Sequence, residues 1–169
     1  MNLSQLNQLP EKEAKLVFSQ CCTSEQWIEN MCAARPFSHI EQMKISADTI
    51  WQALSSKDYL QAFEGHPQIG DIDSLKEKFT NTKILATGEQ SSVSEASDTV
   101  IVELAKANKI YLEKFGFIFI VCATGKSASQ MLSLLQQRLA NDAETEVNNA
   151  AQEQGKIFQL RLDKLLETT

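Results

Sequence analysis

Ser92–Phe115 reads SVSEASDTVIVELAKANKIYLEKF, and this stretch decides the fold class. Val93, Ala96, Val100, Leu104, Ala107, Tyr111 and Phe115 recur at three- and four-residue steps, so they line one face of a long amphipathic helix. Gly116 supplies a natural stop, because glycine accepts the left-handed backbone on which helices end. The next six residues, Phe117-Ile118-Phe119-Ile120-Val121-Cys122, are β-branched and aromatic, as in a short strand. No other segment alternates convincingly, so a strand here would have no partner. We read it as a buried extended link between two helices.

Helix signals continue on both sides. Downstream, Ser127–Leu139 places Met131, Leu134, Leu135 and Leu139 inward, and Asn141-Asp142 caps a last helix with Val147, Ala150, Gln154, Phe158, Leu162 and Leu165 on its inner face. Upstream, Pro10 with Glu11 and Glu13 opens a helix that puts Ala14, Val17, Phe18 and Cys21 together. Thr23-x-x-Gln26, Ser38-x-x-Glu41 and Ser74-x-x-Glu77 fit capping boxes. A further helix starts near Ser55 and runs through Asp58, Tyr59, Leu60 and Phe63 to Gly65. There is no internal repeat, low-complexity tract or linker. The expectation is an all-α fold: one domain over residues 1–169, a bundle of roughly eight helices with one buried extended segment.

Bulk properties narrow the function. A chain of 169 residues can bury a real core, and 43% hydrophobic with 22% charged residues is ordinary for a soluble globular protein. The formal net charge of −6, with no basic run, argues against a nucleic-acid partner. The apolar run Phe115–Ala123 is too short for a membrane span, which needs about 20 residues. Met1-Asn2-Leu3-Ser4-Gln5 has no basic stretch leading into an apolar one, so no signal peptide is expected, and Glu167-Thr168-Thr169 is not a Ser-Lys-Leu address. Cys21, Cys22, Cys32 and Cys122 match no zinc spacing, so free buried thiols and a reducing cytoplasm are the expectation.

Few residues carry chemistry. His39, after Arg35-Pro36-Phe37-Ser38, reads as a surface residue in a first helical turn. His66 lies between Gly65 and Pro67; proline keeps the preceding residue out of the helical region, so this imidazole is presented at a helix end, with Gly70 bending the chain nearby. An acid–base group and a simple helix cap fit His66 equally well. Arg161 lies three residues after Phe158 and four before Leu165, on the buried face of the last helix. Either it anchors an anionic or carbonyl group with its planar fork of donors, or its stem packs while its head reaches water. Glu89-Gln90, just ahead of the long helix, reads first as a capping device. Ala123-Thr124-Gly125-Lys126-Ser127 is not a nucleotide loop: the required glycine five positions before Gly125 is Ile120.

The ordered set His66-Pro67-Gln68-Ile69-Gly70-Asp71, Ala34-Arg35-Pro36-Phe37, Glu89-Gln90, Phe115-Gly116-Phe117-Ile118-Phe119-Ile120, Arg138-Leu139-Ala140-Asn141-Asp142 and Leu160-Arg161-Leu162 resembles the 2-oxo-4-hydroxy-4-carboxy-5-ureidoimidazoline decarboxylases, from about Leu6 to Leu166. The resemblance implies an all-helical homodimer that needs no cofactor or metal. It also implies a small-molecule substrate that loses CO2 to give (S)-allantoin in urate degradation. By position it makes His66 and Glu89 catalytic and Arg161 substrate-binding. It sets Pro67 against the substrate ring, and assigns Gln90 and backbone groups of Phe119, Ile120 and Ala123 to substrate contacts. Ala86 stands where the family usually has serine, which removes a hydroxyl contact unless Thr87 or a water replaces it. Ile118 stands where proline is frequent. Two rival readings remain: a non-catalytic helical protein-interaction module, which gives Arg161 no purpose, and a metallohydrolase on His39 and His66, which no carboxylate–histidine spacing supports.

Overall fold

The computed structural model describes residues 1–68, 71–77, 79 and 94–167, without the side chains of 94–97 and 167. Among these residues there are helices and no strand: α1 (Leu3–Gln8), α2 (Glu11–Ser19), α3 (Glu25–Ala33), α4 (Ile40–Gln52), α5 (Ser56–Glu64), α6 (residues 72–77), α7 (Ser94–Phe115), α8 (Ala128–Leu139) and α9 (Ala143–Glu167). The all-α expectation holds. Residues 117–123 run as a non-helical link with Phe117, Ile120 and Cys122 buried. Gly116, at φ 78°, ends α7 as the sequence requires.

Helix starts are where the structure departs most from the sequence expectation. α3 is capped by Ser24, not Thr23: the Ser24 hydroxyl accepts from Trp27 N at 3.4 Å. α4 is capped by His39, not Ser38, with Nδ1 accepting from Gln42 N at 3.1 Å. The α6 cap is Asp71, which accepts from Ser74 N at 2.9 Å and from the Ser74 hydroxyl at 2.6 Å. Each correction has one cause. Several neighbouring polar residues satisfy the spacing, and the cap falls on the one whose side chain reaches the first-turn amide. α1 went unread, although Asn2 and Gln5 close a reciprocal cap at 2.9 Å in both directions. Ser55 with Asp58, Ser127 with Gln130, and Asp142 with Thr145 cap as expected.

The chain divides into two compact units. The first comprises Met1–His66, Ile120–Cys122 and Val147–Thr169. Its core is aromatic. Trp27 packs on Phe158 at 5.1 Å and edge-on to Phe18 at 6.1 Å, while Trp51 meets Phe158 at 5.7 Å and Tyr59 at 4.6 Å. Both buried indoles donate to carbonyls, Trp27 to Ala47 and Trp51 to Ala151, so neither leaves an unmet N–H. The Arg35-Pro36-Phe37 element proves structural here. Arg35 donates to the carbonyls of Leu6, Leu9 and Cys32, Asn7 pairs with the Phe37 backbone in both directions, and the Arg35–Pro36 bond is cis.

The second unit comprises Pro67–Phe119 and Ala123–Glu146. There α7 packs on α8, and Ile101, Leu104, Ala107 and Tyr111 of α7 and Met131, Leu132 and Leu135 of α8 are buried. Glu146 is fully buried. It accepts from the Tyr111 hydroxyl, from Arg138 Nε at 2.6 Å and from Asn141 Nδ2 at 3.0 Å. Burial by itself would raise its pKa; the bonds from Arg138, Tyr111 and Asn141 outweigh that and hold the carboxyl below the ordinary value.

Candidate functional site

His66 follows the end of α5, its amide donating to Phe63 O at 3.2 Å. Gly65 has an ordinary φ of −72°, so glycine is not needed there for backbone freedom. Close approach demands it: a Cβ at Gly65 would lie 2.0 Å from Thr23 Oγ1. That hydroxyl in turn donates to the Gln61 and Ala62 carbonyls at 3.3 Å, tying the α2–α3 link to the last turn of α5.

The half-buried imidazole meets Gln154 of α9, Nε2 against the amide Oε1. Burial is the main reason its proton affinity is lowered; the Gln154 bond opposes this, and the positive charge of Arg161 adds to it. His66 is therefore neutral at neutral pH and can accept a proton. Arg161, half-buried on α9, spends one guanidinium nitrogen on Cys21 O at 3.1 Å. Cys21 and Cys22 are buried beside it, and burial pushes their thiols up to about 12 and about 11, so both are protonated. All four cysteines are buried thiols.

Thus the first unit brings together His66 and Arg161, and it also contains the buried Ile120. Pro67, Phe119 and Ala123 belong to the second unit. There the Phe119 ring carries the Arg138 guanidinium over its face at 4.6 Å and meets Tyr111 edge-on at 5.3 Å. Glu89 and Gln90, with Ala86 and Thr87, lie outside the described residues. Gly125, at φ 74°, and the bond from Lys126 N to Ala123 O make a turn leading into Ser127, the cap of α8. Two residues were missed in the sequence. Gln154 falls on the apolar stripe of α9, and an amide on such a stripe is the signal that marks it. Glu146 was not singled out at all, since nothing marks its burial before the helices pack. His39 is exposed and serves as a helix cap. Among the described residues no three His, Cys, Asp or Glu side chains converge as metal ligands, and no helix is long and apolar enough to cross a membrane.

The sequence pattern of the OHCU decarboxylase family matches residues 7–163. The chain is 34% identical over 145 residues to the uric acid degradation bifunctional protein TTL of Arabidopsis thaliana, covering 86% of this chain but 45% of that protein. It is 25% identical over 170 residues to the uric acid degradation bifunctional protein of a Bacillus species, covering 98% of this chain and 32% of that protein. The chain thus spans less than half the length of these two relatives. It is also 23% identical to the 2-oxo-4-hydroxy-4-carboxy-5-ureidoimidazoline decarboxylase of Haloferax volcanii, over 96% of this chain and 94% of that one. A solved OHCU decarboxylase, crystallised in the presence of (S)-allantoin, superposes with a TM-score of 0.70 at 33% identity, over 88% of this chain and 96% of that one. With its helices and a pattern match over nearly its whole length, this chain belongs to the OHCU decarboxylase family.

Proposed function

We propose that the protein is a carboxy-lyase that decarboxylates 2-oxo-4-hydroxy-4-carboxy-5-ureidoimidazoline to (S)-allantoin in urate degradation, without cofactor or metal. The observation that carries the reading is His66: a half-buried imidazole of lowered proton affinity, with Arg161 acting on it. The substrate's own C=N bond is the electron sink. As the carbon–carboxylate bond breaks and CO2 leaves, its electron pair forms a double bond to the neighbouring carbon and the imine π pair moves onto nitrogen, which takes up a proton. The new double bond then takes a proton on carbon from one face as the hydroxyl gives up its own. His66 handles the proton at the hydroxyl or carboxylate. Arg161 supplies N–H donors to a substrate oxygen, and a lysine could not reproduce its fork. We assign Glu89 to catalysis at the ureido and ring N–H groups, and Pro67, Gln90, Phe119, Ile120 and Ala123 to substrate contacts. In this reading residues 1–169 act as one domain, which the unbroken pattern match over 7–163 supports. The reading further places the protein in the cytoplasm as a homodimer, without nucleic-acid or membrane partners.

The test is incubation with freshly generated substrate, following optical rotation. Uncatalysed decay gives both hands of allantoin, so the enzyme should yield excess (S)-product faster than background. A racemic product at the background rate would favour the interaction-module reading instead.

A further inference from the structure

Gln154 is fully buried, on a helix face that it shares with the buried apolar residues Ala150, Ala151, Phe158 and Leu162. A buried amide is costly unless bonded, and an apolar residue of similar size would pack there at lower cost. Its side-chain oxygen meets His66 Nε2. Its Nε2 has no hydrogen-bond partner among the described residues, although the amide is near enough to the Cys22 thiol to act on it. A carbonyl oxygen can only accept, so the ring nitrogen facing it must carry the hydrogen. The other nitrogen, Nδ1, is then the basic one.

We infer that Gln154 is the positioning residue of this site: its side-chain oxygen holds His66 in the Nε2–H tautomer, leaving Nδ1 to take the proton. This rests on the acid–base role proposed for His66. Among the described residues Arg161 is the charged group acting on the ring, and the Cys21 and Cys22 thiols beside Arg161 stay protonated and neutral.

Imidazole 15N NMR on the full chain tests the tautomer directly, with His66→Asn identifying the signals. Wild type should show His66 as a single Nε2–H tautomer. The Nδ1–H tautomer, or a mixture, overturns the proposal. Gln154→Leu should release the ring into a mixture and lower kcat about tenfold with KM little changed, the size expected for one lost hydrogen bond. Gln154→Glu sets a carboxylate against Nε2 and should move the acid limb of kcat/KM up by about one pH unit. Tautomer and pH profile unchanged in both variants would sink the idea. Should Gln154→Leu fail to fold, the wild-type spectrum and Gln154→Glu still decide. His66→Asn separates this proposal from the one beneath it. Full turnover there ends the acid–base reading, whereas lost turnover with an unfixed wild-type tautomer ends the role of Gln154 alone.

Discussion

Two buried polar groups, one in each unit, are treated in opposite ways. Glu146 in the second unit is completely served: Tyr111, Arg138 and Asn141 donate to its two oxygens, and the carboxyl is held ionised. Gln154 in the first unit is half-served, bonded to His66 at one end and to no described residue at the other. A satisfied buried network locks packing, whereas a half-satisfied one is costly unless something else repays it. The contrast separates structural from functional polarity better than burial does, since both side chains are fully buried.

The contrast can be broken most sharply at His66. His66→Asn should lower turnover about 10²- to 10⁴-fold, the range for a positioned acid or base, while near-native helicity survives. His39→Asn is the control; asparagine caps helices well, so activity should not change. Wild-type turnover in His66→Asn would place the chemistry elsewhere.

At the satisfied cluster the effect should fall on stability instead. Glu146→Gln takes the carboxylate away from the Arg138 guanidinium and should cost about 3–5 kcal/mol in urea unfolding. Its pH signature has a definite sign. The folded-state pKa is lowered, so the stabilisation is present above the ordinary glutamate value of 4.5 and is lost as pH falls through the folded one. The variant should lack that acid-side slope; an unchanged slope would mean that Glu146 does not titrate as described.

Smaller effects probe the glycines beside the site. Gly65→Ala drives a Cβ into the Thr23 side chain and should destabilise by about 1–3 kcal/mol in thermal unfolding. Gly155→Ala, next to Gln154 on α9, meets only Trp51 and Phe158 at 3.8 Å or more, so it should stabilise by about 0.5–1 kcal/mol. A loss at Gly155 would show that this face is tighter than its distances imply.

The sequence alone determined the helical class, the stop at Gly116, the caps at Ser55, Ser127 and Asp142, and the family. These rest on residues close in the chain, or on an ordered set of motifs, and each can be read without knowing what packs where. It also singled out His66, because Gly65 and Pro67 flank the only histidine not placed on a helix. The caps at Ser24, His39 and Asp71 were misread by one to three positions, since adjacent polar residues satisfy the same spacing. Only the tertiary structure decided that Gly65 answers to Thr23, that Arg35 binds the carbonyls closing α1, and that Gln154 faces His66 across 88 residues of chain. Those pairings join side chains distant in sequence, and a periodic pattern records which face of a helix is buried but not what it is buried against.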